Sequence, residues 1–178
     1  WSPDAPWLYP AEIALAADGQ AVDARTVRLG FRRVAVRDGQ LWLNDAPLFL
    51  TGANRHEDSR RAAAGMDLAQ ARADFQAMKD LGMNFVRLCH YPHHPGELDL
   101  CDELGLLAMD EIPLYRWDGL AEGEEACAAT LAAAERQLAA LIARDAHHPA
   151  LICWSVSNET AEERPEVAAG NAALVRLA

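Results

Sequence analysis

Apolar and polar residues alternate along the first forty positions and then change period. Val27-Arg28-Leu29-Gly30-Phe31 and Val34-Ala35-Val36 alternate clearly, and Ala11-Glu12-Ile13-Ala14-Leu15 loosely, as half-buried strands do. Turn signals separate them at Ala17-Asp18-Gly19 and Arg37-Asp38-Gly39. About three strands cannot close a sandwich core by themselves. Residues 1–40 are therefore expected to be the end of an all-β domain whose beginning is missing.

Over residues 41–178 short apolar runs alternate with helical periodicity. Leu48-Phe49-Leu50-Thr51-Gly52 fits a buried parallel strand. Asp67 is placed to cap a helix with Leu68, Ala71, Phe75, Met78 and Leu81 on one face, and Gly82 to end it. Strand Asn84–Leu88, a helix near Pro95–Leu104, strand Leu106–Asp110 and an Ala-rich helix over roughly Glu124–Ala146 follow. Strand Leu151–Ser155 leads to Asn158-Glu159, and Pro165 opens a last helix. Such alternation implies a parallel sheet with right-handed crossovers. A doubly wound sheet is the plain alternative, but no glycine-rich phosphate loop follows any strand. A (β/α)8 barrel takes about 250 residues. The pattern thus predicts an α/β fold, the first half of such a barrel, preceded by the end of a β-sandwich.

Composition narrows the partners. The 178 residues are 51% apolar and 24% charged, the balance of a globular protein. The net charge of −11 argues against nucleic acid, whose phosphates need clustered cations; Arg32-Arg33 and Arg60-Arg61 are too short to supply them. No uninterrupted apolar run approaches the roughly 20 residues of a membrane span, so no membrane partner is expected. The chain opens on Trp1-Ser2-Pro3-Asp4, which suggests a processed or truncated start; no secretory leader is visible, and a cytoplasmic location is favoured. Cys89, Cys101, Cys127 and Cys153 show no C-x-x-C spacing, so buried reduced thiols are expected.

Polar residues gather at four strand ends. Asn54-Arg55-His56-Glu57-Asp58 follows the first barrel strand, and Arg87 with His90-Tyr91-Pro92 closes the second. Asp110-Glu111 ends the third and Asn158-Glu159 the fourth. In a barrel these ends share the C-terminal face, where active sites are built. Each cluster has a structural alternative: His56 and His90 as hydrogen-bonded scaffold residues, Asp110-Glu111 as a cap, Asn158-Glu159 as a helix N-cap with a dipole-matched acid. Four clusters on one rim favour chemistry. A carboxyl at a dry strand end has a raised pKa and can protonate a leaving oxygen, which suits Glu159. His93 and His94 are assigned to a solvated loop, and His147-His148, at the opposite end of its strand, to no chemistry. A metal-dependent barrel hydrolase is the poorer reading, because neither H-x-H nor H-E-x-x-H occurs.

Gly52-Ala53-Asn54-Arg55-His56-Glu57 resembles the G-x-N-R-H-E signature of glycoside hydrolase family 2, the β-galactosidase, β-glucuronidase and β-mannosidase group. Asn84-Phe85-Val86-Arg87-Leu88-Cys89-His90-Tyr91-Pro92 is similar to that family's N-x-V-R-x-S-H-Y-P segment. Leu100-Cys101-Asp102-Glu103-Leu104-Gly105-Leu106 resembles its L-C-D-x-x-G-L run, and the stretch from His148 to Glu159 its H-P-S-I-x-x-W-S-x-x-N-E motif. Trp1-Ser2-Pro3, Leu8-Tyr9 and Gly30-Phe31-Arg32 resemble the end of the immunoglobulin-like sandwich that precedes the family's TIM barrel. The resemblance implies a retaining exo-β-glycosidase with a carbohydrate substrate and no cofactor. Glu159 would be the acid/base, Asn158 would bind the sugar 2-hydroxyl, and Arg87 would keep the nucleophile ionised. His56, His90, Asn54 and Asp58 would line the sugar pocket; Trp154 is either a wall of it or a core residue.

Three departures qualify the resemblance. The family nucleophile is a Glu at a later strand end, past Ala178. Galactosidases that bind magnesium carry E-x-H after the Asp-Glu pair, where this chain has Tyr115 and Trp117, so that site is doubtful and no metal is expected. Cys89 stands where the family has Ser. His90-Tyr91-Pro92-His93-His94-Pro95 leans towards β-galactosidase, and Asn54–Asp58 with the missing metal ligands keeps β-glucuronidase open. The rival from another class is a truncated, non-catalytic sugar-binding relative. The resemblance leaves a homo-oligomer open for the full-length protein, and the 178-residue chain alone is expected to be inactive.

Overall fold

The computed structural model describes residues 1–59, 65–120 and 123–178; Arg60-Arg61 lies outside them. Strands β1 (Tyr9–Ala17) and β2 (Gln20–Leu29) form an antiparallel hairpin. A second antiparallel sheet joins β3 (Val34–Arg37), β4 (Gln40–Leu43) and β5 (Ala46–Pro47). Both hairpin turns fall where the sequence signals them, with Asp18 and Asp38 at positive φ and a glycine after each.

The remainder is a parallel sheet in the order β6 (Gly52–Arg55), β7 (Phe85–Leu88), β8 (Leu107–Glu111), β9 (Leu151–Ser155), with helices between successive strands. These helices are α1 (Leu68–Asp80), α2 (Pro95–Leu104) and α3 (Glu124–Asp145), and α4 (Pro165–Leu177) follows β9. Asp67 caps α1, accepting from the Gln70 amide. Pro95 sits in the first turn of α2, and Gly105 ends that helix in the left-handed region, where an added Cβ would strike the Pro3 carbonyl. α3 lacks a side-chain cap but places Glu124 and Glu125 at its positive end. By length and composition α3 could cross a membrane. Here Ala134, Leu138 and Leu141 are instead buried in a cluster with Val167 and Leu174 of α4, as in a helix of a barrel's outer layer.

One strand differs from expectation. The sequence places it over residues 48–52, whereas pairing with β7 runs from Gly52 to Arg55. Leu48 and Leu50 pack against the core, but Phe49 is 83% exposed, so the apolar run enters the barrel without being its strand. Asn54 and Arg55 consequently lie within the strand rather than after it.

Register divides the sheet into two faces. Arg55, Leu88, Asp110 and Trp154 are successive cross-strand partners, and this row meets the helices: Arg55 pairs with Asp74 of α1 and Glu97 of α2, and Asp110 lies near Arg144 of α3. Asn54, Arg87 and Met109 form the neighbouring row, which must face the barrel interior.

Asp102 and His148 explain two motif residues without chemistry. Both are buried, His148 Nδ1 lies 2.6 Å from Asp102 Oδ2, and the Ala150 amide donates to Oδ1 at 2.8 Å. The pair anchors the start of β9 to α2. Replacing Asp102 by Ala strands a buried imidazole and a buried amide, and should cost about 3 kcal/mol in urea unfolding with an unchanged slope. A loss under about 1 kcal/mol would show that β9 is anchored by its apolar contacts instead.

Candidate active site

The C-terminal ends of β7, β8 and β9 converge on Arg87. Its guanidinium donates to Glu111 Oε2 from Nε at 2.7 Å, with Nη2 at 2.6 Å from the same oxygen. Nη2 also donates to Asn158 Oδ1 at 2.8 Å. Glu111 Oε1 lies 2.7 Å from His90 Nδ1. Glu111 is fully buried, so Arg87 and His90 supply the partners that a carboxylate needs in that position. The sequence leaves Asp110-Glu111 open between a cap and a place on the rim; in the structure Glu111 is the centre of the rim. Its signal was its place at a strand end in line with Arg87.

Loops after the strands are held by backbone bonds. The Asn158 amide donates to Leu114 O at 2.9 Å and the Arg116 amide to Asn158 O at 3.0 Å. Glu159 adopts φ +50°, a left-handed conformation that non-glycine residues take at a cost of about 1–3 kcal/mol and that clusters at functional sites. Its carboxylate is 65% exposed, with Arg116 Nε 3.4 Å away. The dry strand end expected for Glu159 is therefore not what these residues build, because the sheet is open beyond β9.

His56 is exposed and its ring meets that of His90 edge on, 5.2 Å between centroids. Tyr115 lies nearly parallel to His90, 6.5 Å between ring centroids. Asn54 shares the inner face with Arg87, and the two line a hollow of about 210 Å³ with Gly52, Ala53 and Phe85. Asp58 is exposed on the loop after β6. Trp154 is partly buried against both apolar clusters on the helix-facing row, which is the core alternative. A larger cleft, about 550 Å³, lies between residues 2–4, the β4–β5 turn and the end of α1, at the opposite end of the strands from the rim.

Of the two loop histidines, His94 is exposed as expected but His93 is not. His93 is buried between Glu97 Oε2 at 2.8 Å and the Cys89 carbonyl at 3.1 Å, and His94 caps α2 by accepting from the Gly96 amide. Burial of Glu97 beside Arg55 draws this imidazole under the helix layer, and that carboxylate raises its pKa against the desolvation that lowers it. The four cysteines are free, Cys89 and Cys101 buried and Cys127 and Cys153 partly so. Of the residues after the Asp110-Glu111 pair, Trp117 offers no acceptor and packs on Gly170, and Tyr115 lies against His90.

A parallel α/β sheet gathers carboxylates, histidines and a clamped arginine on its C-terminal rim, the face on which barrel active sites are built. The model of the TIM barrel domain of glycosyl hydrolases family 2 matches residues 34–176, and the chain belongs to that family. It is 37% identical over 166 residues to a β-galactosidase of Vibrio cholerae, covering 90% of this chain and 16% of that protein. Among solved structures it is similar to β-glucuronidase of Parabacteroides merdae (37% identity, TM-score 0.78, 89% of this chain and 20% of that one). It is also similar to β-D-glucuronidase of Dictyoglomus thermophilum (30% identity, TM-score 0.92, 99% of this chain and 32% of that one). The chain thus spans less than a third of each of these relatives.

Behind the rim, Asp110 is buried beside Asp145, and its carboxyl is pushed up to about 7, chiefly by burial and then by the hydrogen bond with Asp145. Its folded pKa lies above the unfolded 3.8, so between the two the native state holds a proton that the unfolded chain releases. Stability should therefore fall as pH rises from about 4 through about 7. Asp110→Asn keeps an acceptor for the Glu111 amide and presents a donor to Asp145. Thermal melts should show that variant less pH-sensitive over this window and more stable than the parent above it; parallel curves would refute the shared proton.

Proposed function

We propose that this chain is part of a retaining exo-β-glycosidase that removes terminal β-linked sugars, with galactosides the favoured class. The clamp of Arg87 between Glu111 and Asn158 carries the reading, since it ties Asn158, the residue before Glu159, to the ends of β7 and β8. In this scheme the two catalytic carboxylates stand roughly 5–5.5 Å apart. Glu159 protonates the glycosidic oxygen as the bond to the anomeric carbon breaks, and then takes a proton from the water that hydrolyses the glycosyl-enzyme. Asn158 binds the 2-hydroxyl, its carbonyl oriented by Arg87 so that the amide nitrogen is free to turn to the sugar. His56, His90 and Asn54 face the sugar ring, and Asp58 contributes from the outer loop. The nucleophile is a Glu outside these 178 residues, beside Arg87, whose charge keeps it ionised. Residues 1–40 belong to an immunoglobulin-like sandwich, a reading supported by the β1–β2 hairpin, where Ile13 and Leu15 are 61% and 63% exposed. The barrel part then starts at residue 41.

A β-glucuronide substrate is the second reading, favoured by Tyr115 and Trp117 at the magnesium positions. A panel of aryl β-galactosides and β-glucuronides decides between them by kcat/KM.

Glu159→Gln in the full-length protein should lower kcat by about 10²–10⁴-fold. Added azide should restore turnover of an aryl glycoside, because an anionic nucleophile needs no base at the second step. The 178-residue chain alone should show no turnover. Full activity in Glu159→Gln, or turnover by the isolated chain, would sink this assignment of roles.

A further inference from the structure

Cys89 lies between the two histidines of the rim. One donor atom from each of His56, Cys89 and His90 can be chosen so that all three lie within 4.8 Å of one another. Cys89 Sγ is 3.7 Å from His56 Nε2. On a tetrahedral zinc a sulfur at about 2.3 Å and a nitrogen at about 2.0 Å stand about 3.5 Å apart. The His56 and His90 rings are 5.2 Å apart at 74°, against the about 5 Å that two imidazoles on one such ion span. A thiolate with two imidazoles is a soft donor set, which selects zinc, cobalt or copper over magnesium.

The support that metal-binding histidines need is already built. Glu111 Oε1, 2.7 Å from His90 Nδ1, holds the proton on that nitrogen and leaves the Nε2 lone pair for a cation. A carboxylate behind the ligating imidazole fixes its tautomer and raises its basicity. Cys89 is buried, whereas His56 is exposed and His90 partly so, and a cation would enter past the imidazoles and meet the sulfur last. The other groups with metal-ligand composition are used internally: Glu97 by Arg55 and His93, and Asp102 by His148 and the Ala150 amide.

We propose that His56, Cys89 and His90 form an inhibitory site for a soft divalent cation, of which zinc is the type, and that the bound ion excludes the sugar from its pocket. The inhibitory part rests on the reading of His56 and His90 as pocket residues. On binding, the thiol loses its proton to solvent, and its hydrogen bond to the Arg55 carbonyl, 3.4 Å, gives way to a sulfur–metal bond. The family motif has Ser at this position, a hydroxyl that is a far weaker ligand for such ions.

The full-length protein, reduced and metal-free, is titrated with cobalt(II) and followed by absorption, and aryl β-glycoside turnover is measured against added zinc chloride. The expected result is a thiolate-to-cobalt charge-transfer band and inhibition that chelator reverses. Cys89→Ser should keep the turnover measured without zinc, lose the band, and need at least about tenfold more zinc for half-inhibition. A band and an inhibition unchanged in Cys89→Ser would overturn the site, as would stimulation by zinc. A protein without turnover that still shows the Cys89-dependent band would retain the metal site and overturn the glycosidase reading.

Discussion

A guanidinium bound to a fully buried carboxylate is the contact on which the rest of the rim depends. Glu111 sits at the end of β8 with no access to water, where an unpaired charge would cost several kcal/mol. Arg87 answers it from β7, and through the same nitrogen reaches Asn158 beyond β9. Three strand ends are thereby held in one arrangement. Asn158 and His90 are oriented by this pair, which strand geometry alone could not do.

A second set of polar pairs, most of them buried, lies between the sheet and its helices. Arg55 with Glu97, His93 with Glu97, Arg144 with Asp145 beside Asp110, and His148 with Asp102 all sit between strands and helices. Apolar side chains would fill this layer at less desolvation cost, yet they would tolerate slippage of a helix along the sheet. Directional pairs accept one register. Because β6 to β9 are parallel, a one-residue slip would turn Arg87 into the helix layer and Asp110 into the barrel interior. The layer that fixes register therefore also decides which side chains reach the substrate side.

The open side of the sheet explains what the site lacks. β6 and β9 are its edge strands, and beyond β9 nothing in the described residues covers Glu159. Its exposure goes with the open edge of the sheet, and Phe49 is likewise exposed. Family membership and the short span of the relatives that the chain covers are consistent with this geometry.

Local patterns determined the order of the parallel strands and their helices, because strand and helix periods, the Asp67 cap, Gly82 and Pro165 act within a few residues of themselves. The motifs likewise pointed to one rim, and Arg87, His90 and Asn158 converge there, with His56 beside His90. Local patterns failed where a partner distant in sequence decided the outcome. The apolar run at residues 48–50 was outweighed by the hydrogen-bonded register with β7, which begins later. His93 was drawn inward by Glu97 and Arg55, and Glu111 became the hub by meeting Arg87 and His90. Trp154 was placed among the helices by its pairing with Asp110. Burial of a charge, and the partner that makes it tolerable, are properties of the assembled layers. The chain's own order of residues specifies which groups exist, and only the folded arrangement decides which of them meet.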